Sequence, residues 1–252
     1  MKKLILSILF IICLSIQASA WNPMVVVSGS SVVEETSCGT GSPELLFWWN
    51  MTDADVSDNV CVHAGGDSSA TANGGEISVG SGAITITDTG DTGGDYYAFT
   101  SASAQIPQSD FTVEMKVNMS TIENQDGPEL FLMGQAAYTD YHKFYFTGAD
   151  IDLKYYRHVN SAQDNIKTFD VNVSASETLY IVLRCSTTNG PDLWVSTTGW
   201  PDSDSVGWVE GANGCTAFNA TADFLYVGNS GAHNLEGTID NYFKLYNGWK
   251  TY

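Results

Sequence analysis

The chain has 252 residues, 43% hydrophobic and 15% charged, with a formal net charge of −19. Its apolar and aromatic content excludes an intrinsically disordered chain. The negative charge excludes nucleic acid as a main partner and disfavours an anionic lipid surface, because both would be repelled.

Residues 1–20, MKKLILSILFIICLSIQASA, read as an export signal. Lys2 and Lys3 precede an apolar run, Leu4–Ile16, and Ala18-Ser19-Ala20 gives an A-x-A cleavage pattern. The apolar run is too short for the roughly 20 residues of a spanning helix. No later segment reads as a membrane span, so the processed chain is expected to be exported, secreted or periplasmic, without inserting in a membrane. Residues 21–43 are rich in Ser, Gly and Thr and read as a flexible segment.

From residue 44 to 252 the pattern is that of strands. Asp110–Met119 alternates strictly. Phe111, Val113, Met115, Val117 and Met119 fall on one face, with Thr112, Glu114, Lys116 and Asn118 on the other. Thr178–Ser186 sets Leu179, Ile181, Leu183 and Cys185 on one face. Shorter runs are Leu45–Trp49, Ala83–Thr87, Tyr96–Phe99, Leu130–Met133, Lys143–Phe146, Ile151–Tyr156, Leu193–Ser196, Phe224–Val227 and Ile239–Tyr246. Gly, Asn, Asp and Ser punctuate the gaps, and no window carries a helical stripe. This predicts one all-β domain, a sandwich or barrel, in which closed jelly-roll connectivity would protect the edges of long antiparallel strands.

Without the signal's Cys13, four cysteines remain: Cys38, Cys61, Cys185 and Cys215. In an oxidising compartment they predict two disulfides with three possible connectivities. The sequence-local pairs Cys38–Cys61 and Cys185–Cys215 are expected, each worth about 3–4 kcal/mol in the chain-entropy model. Zinc ligation wants a close C-x-x-C, which is absent.

Three segments carry a resemblance. Glu44–Asn50, ELLFWWN, is followed by an acidic Gly/Ser-rich stretch. Asp110–Val117 reads DFTVEMKV. Leu235–Asn247 reads LEGTIDNYFKLYN, after Tyr226-Val227-Gly228. In order and spacing they resemble the laminin-G-like branch of the concanavalin A-like lectin/glucanase superfamily. Lys244 stands where that family usually has Arg, and one extra residue separates Asp240 from Tyr246. The resemblance implies a jelly roll of two curved sheets, a fold that carries lectins, glycanases and adhesion modules.

A retaining glycanase needs two carboxylates about 5 Å apart. The Glu-x-Asp-x-x-Glu and Glu-x-Asp-x-Glu strings of glycanases on this fold do not occur. Asp150 and Asp152, with Lys154 after them, fit a solvated strand face better than an active site. Gly66-Asp67-Ser68 lacks the helix and the base that a serine nucleophile needs. His63, His142, His158 and His233 show no metal spacing and read as surface or strand-end residues. No catalytic site is therefore expected.

Calcium is the ion that suits an acidic exported chain. Asp53 opens the alternating acidic run Asp53, Asp55, Ser57, Asp58. Asp240 matches, through the resemblance, an aspartate that helps hold a structural calcium in related glycanases. For a glycan, Trp200 and Trp208 flank a loop carrying Asp202 and Asp204. Indole faces stack on sugar rings and carboxylates bind hydroxyls. The alternative is that each indole plugs its own loop. The resulting expectation is a non-catalytic module for glycans or cell-surface polysaccharide. A ligand-free structural jelly roll and an atypical glycoside hydrolase are the alternatives.

Overall fold

The alternation at Phe111–Met119 becomes the strand on which one sheet is built. In the computed structural model the described residues are 43–49, 51, 71–88, 94–100, 106–123, 127–135, 139–147, 151–159, 162–211, 215, 217–218, 222–231 and 233–252. Among them the strands are β1 (Glu44–Trp49), β2 (Thr71–Asn73), β3 (Ile77–Gly80), β4 (Ala83–Asp88), β5 (Asp95–Thr100), β6 (Phe111–Ile122), β7 (Glu129–Gly134) and β8 (Asp140–Thr147). They continue as β9 (Asp152–Val159), β10 (Ala162–Phe169), β11 (Thr178–Cys185), β12 (Asp192–Ser196), β13 (Phe224–Asn229), β14 (Leu235–Asp240) and β15 (Phe243–Asn247). All described residues belong to one unit, Thr36–Tyr252. The signal segment and residues 21–42 lie outside the described residues. No helix among the described residues is long and apolar enough to cross a membrane.

Two antiparallel sheets form the sandwich. The eight-stranded sheet runs β1-β15-β6-β14-β4-β3, with β11 on the other edge of β6 and β12 beyond it. The seven-stranded sheet runs β10-β9-β8-β7-β13-β5-β2. Period-two alternation lets each strand give one face to the shared core. β6 contributes Phe111, Val113, Met115, Val117 and Met119, all buried; the facing sheet contributes Phe99, Phe131, Phe144, Phe146, Tyr155 and Leu225. Aromatic edges knit the layers: Phe47 meets Phe99 at 4.9 Å, and Trp49 meets Tyr97 at 5.2 Å. Contacts of this geometry add about 0.5–1.5 kcal/mol beyond the area they bury.

The run Ile239–Tyr246, expected as one strand, is two. Ile239 of β14 pairs with Val117 of β6 and Lys244 of β15 pairs with Glu114, so five steps on one side oppose three on the other. The surplus residues bulge out, and there the line changes its outer neighbour from β4 to β1. A second irregularity, at Gly237, has φ of +146°. A Cβ there would lie 2.3 Å from the Asn118 carbonyl oxygen, so only glycine lets β14 approach β6.

His142 corrects an expectation. It is fully buried, not at the surface, and its Nδ1 meets the Tyr155 hydroxyl at 2.5 Å. Burial, then the nearby Arg157 charge, push its pKa well below the usual histidine value. Arg157 is itself buried. It pairs with Asp140, donates to the Ala217 carbonyl at 2.8 Å, and lies over the Phe218 ring. Cys185 and Cys215 form the expected disulfide, with Cα atoms 5.6 Å apart. Cys38 and Cys61 lie outside the described residues.

Candidate functional site

The alternation that sends Phe144, Tyr155, Leu225 and Phe99 inward sends their neighbours to the outer face of the seven-stranded sheet. Strand register then lines those neighbours up. Tyr156 of β9 stands opposite Lys143 of β8, Lys143 opposite Leu132 of β7, Leu132 opposite Tyr226 of β13, and Tyr226 opposite Ala98 of β5. At about 4.8 Å per strand this row spans roughly 20 Å. A flanking row reads His158, Tyr141, Gly134, Phe224. On the other flank lie Lys154, Tyr145 and Glu129. Tyr96, Tyr141, Tyr156, Tyr226 and His158 are half-buried, neither sunk in the core nor free in water.

The rings touch one another. Tyr96 and Tyr226 lie 4.3 Å apart, Phe224 stacks on Tyr226 at 4.3 Å, and Tyr141 stacks on His158 at 4.7 Å. The Lys143 ammonium lies 4.6 Å over the Tyr145 ring. The result is an aromatic floor with polar edges. Burial, then the Tyr226 hydroxyl, push the Tyr96 pKa up. Burial, then Tyr156, do the same to Tyr141. Both phenols therefore stay neutral donors at physiological pH.

Glu129 is the acid of this face. It is 4% exposed and pairs with Lys143, while one oxygen, Oε2, has no hydrogen-bond partner. Burial pushes its pKa up, partly offset by Lys143, His233 and the Ser230 N–H. Asn229, also buried, accepts the Glu129 N–H at 3.0 Å and fixes that end of β7.

The loop residues singled out from sequence go two ways. Trp208 and Asp204 come together on Arg184. The guanidinium lies 3.7 Å over the Trp208 ring and pairs with Asp204, and Trp208 donates its indole N–H to the Ser203 carbonyl at 3.0 Å. Trp200 sits apart, stacked on Tyr242 at 4.2 Å with its edge toward Tyr180. Asp202 is exposed.

Asp240 accepts a hydrogen bond from Lys116 Nζ at 2.5 Å. The Asp240 charge is matched there by that ammonium. Among the described residues no group of three or more His, Cys, Asp or Glu is placed to hold a metal. Asp53 lies outside the described residues, as do Asp150, His63 and Ser68. Asp152 caps a turn, accepting the N–H groups of Val171 and Asn172 at 3.0 and 3.1 Å.

Sequence reasoning missed the tyrosine face. Each outward Tyr was visible as the off-phase residue of a strand. The signal that could have found the face was Tyr recurring at off-phase positions in Tyr96–Phe99, Lys143–Phe146, Ile151–Tyr156 and Phe224–Val227.

No family model and no curated protein sequence matches this chain. Solved structures do, at the level of fold. Domain 4 of AbnA, a GH43 extracellular arabinanase from Geobacillus stearothermophilus solved with arabinotriose, is 12% identical. The match covers 83% of this chain and 95% of that domain, with a TM-score of 0.53. A Trypanosoma rangeli sialidase in complex with sialic acid is 15% identical over 85% of this chain and 32% of its own, with a TM-score of 0.52. The receptor-binding domain of a botulinum neurotoxin mosaic serotype C/D is 9% identical over 81% of this chain and 48% of its own, with a TM-score of 0.50. The chain spans about a third of the sialidase's length. The shared fold is a two-sheet antiparallel β-sandwich.

Proposed function

We propose that this chain is an exported, non-catalytic glycan-binding module of laminin-G-like type, and that it takes a segment of glycan or cell-surface polysaccharide across the outer face of the seven-stranded sheet. One observation carries the reading: the register-aligned row Tyr156, Lys143, Leu132, Tyr226, flanked by Tyr141, His158 and Tyr96. Flat half-exposed rings offer stacking surface to the C–H side of sugar rings. The neutral phenols, Lys143 and Glu129 offer donors and acceptors to hydroxyls. The fold adds support, because the arabinanase domain was solved with arabinotriose bound.

Glu129 has the raised pKa of a general acid, and this is the observation that favours the alternative, an atypical glycoside hydrolase. That chemistry also needs a second carboxylate, about 5 Å away for retention or 6.5–9.5 Å for inversion. The charges acting on Glu129 are those of Lys143 and His233, and His233 in turn pairs with Glu123 at 3.1 Å; we keep the non-catalytic reading as the one to test.

The test is affinity electrophoresis and glycan-array binding of the parent protein beside a Tyr156→Ala/Tyr226→Ala variant. The parent should be retarded by at least one polysaccharide. The variant should lose about tenfold or more in affinity with a melting temperature within a few degrees. Retention untouched by the double variant would refute this face as the site, and reducing sugar released from the bound polysaccharide would refute the non-catalytic reading.

A further inference from the structure

The outer side of the eight-stranded sheet carries a cavity of about 280 Å3 at the β11–β12 hairpin, lined in part by Arg184, Asn189, Gly190, Asp192, Glu210 and Trp249. Its chemistry is unusual for a packing defect. Arg184 is 4% exposed and held between two indoles, 3.7 Å from the Trp208 ring centre and 4.3 Å from that of Trp249. In its plane it pairs with Asp204 and Asp192 and donates to the Lys250 carbonyl at 3.1 Å. Its Nε–H, also buried, has no hydrogen-bond partner. A guanidinium has five N–H donors in a fixed fork, and a buried donor left unmatched costs about 1–3 kcal/mol.

The walls are equally constrained. Asp192 accepts the Gly211 N–H at 3.1 Å through one oxygen, and its other oxygen faces Arg184 at 3.6 Å. Glu210 is exposed, at the rim. Gly190 keeps the cavity open beside Trp249: a Cβ there would stand 3.2 Å from the indole.

We propose that this cavity binds one neutral sugar unit, with the Trp249 indole as its wall and the Asp192 and Glu210 carboxylates as acceptors of sugar hydroxyls. The charge count selects the ligand. The positive charge of Arg184 is already matched by Asp192 and Asp204, so the lining is net negative and repels a uronic acid. An amine would be drawn to the same carboxylates, so methylammonium is the competitor the test has to separate. Among sugar units, the charge leaves an uncharged ring with several hydroxyls, small enough for a pocket at the low end of the ligand range. The choice of ligand class rests on the glycan-binding reading, but the cavity shares no residue with the tyrosine face.

The test is a ligand-observed NMR titration of the purified protein with a panel of neutral methyl pentosides and hexosides, methyl glucuronoside, and methylammonium. At least one neutral glycoside should bind. Glu210→Ala, at the exposed rim, should weaken that binding about tenfold without moving the melting temperature, and Tyr156→Ala/Tyr226→Ala should leave it unchanged. No binding by any neutral glycoside overturns the proposal. So does an affinity within twofold of the parent in Glu210→Ala, or tighter binding of the glucuronoside or the amine. Because the face variant is read on polysaccharide and Glu210→Ala on single glycosides, the two readings fail separately.

Discussion

The two sheets treat their outer faces differently. On the eight-stranded sheet that face is roofed by the chain's own aromatic groups. Leu45, Trp48 and Tyr246 form a second apolar cluster. Trp208 and Trp249 sandwich Arg184. Glu114, 1% exposed in the middle of β6, receives the hydroxyl of Tyr246 at 3.1 Å together with Lys250 and the Tyr252 hydroxyl. On the seven-stranded sheet Tyr96, Tyr141, Tyr156 and Tyr226 stay half-buried, in contact with one another and with Phe224 and His158. The same residue types therefore do opposite jobs: on one side they satisfy a buried charge, on the other they present surface. The difference separates a face whose substitution should cost stability from one whose substitution should cost binding.

Arg184→Met tests the roofed face most severely. It leaves Asp192 under the loop without its cation, and truncating one partner of a buried pair costs about 3–5 kcal/mol. Because Asp204 is a third exposed and can rehydrate, the lower end, about 3 kcal/mol, is expected from the urea midpoint. A cost under 1 kcal/mol would mean that the roof contributes little. Glu114→Gln should come next, at about 1.5–2 kcal/mol in the same assay, since it keeps the shape but weakens charge-assisted hydrogen bonds to Lys250 and two phenols.

The interior between the faces answers to pH. His142 has a folded pKa well below the usual 6.5, so the unfolded chain takes up the proton first. Stability should therefore fall as pH drops below about 6.5, with a slope approaching 1.4 kcal/mol per pH unit. His142→Gln should flatten that slope between pH 6.5 and 5.5 in denaturant titrations. An unchanged slope would assign it to other groups.

The smallest effect is expected at Asp240→Asn. The Lys116 pair is about a third exposed on each side, which limits its worth to roughly 0.2–1 kcal/mol. Lys116 has its pKa raised, first by the hydrogen bond to Asp240. The contribution is present below the ordinary lysine pKa and lost as pH rises through the folded value. Melting in calcium against chelator should show no increment that Asp240→Asn removes.

Much of the sandwich was legible because alternation is a local signal. Phe111–Met119, Thr178–Cys185 and Phe224–Val227 declare their buried faces residue by residue. The strands that escaped, β2, β3 and β10, are all edge strands. Edges bury less, so sequences such as TAN or AQDNIKTF need carry no apolar phase. The site was less legible because neighbours across a sheet come from distant strands. Nothing local says that Tyr156 stands beside Lys143 and Lys143 beside Leu132. Trp200 and Trp208, eight positions apart, share a loop in sequence and yet settle on different partners. Thr112 and Glu114 lie on the polar phase of β6 and are buried nonetheless, because residues 246–252 fold over them.

The pairing of β1 with β15 joins Glu44 to Asn247 across nearly the whole described chain. β14 and β15 also fill the line beside β6 that connects it to β4 and β1. Until residues 235–247 are available, the eight-stranded sheet is therefore three pieces with raw edges: β1 alone, β6 with β11 and β12, and β3 with β4. Such closure places the molecule among slow folders, in milliseconds to seconds or longer, since distant pairings must be made before they are rewarded. It also makes assembly on the ribosome incomplete until synthesis has passed residue 247.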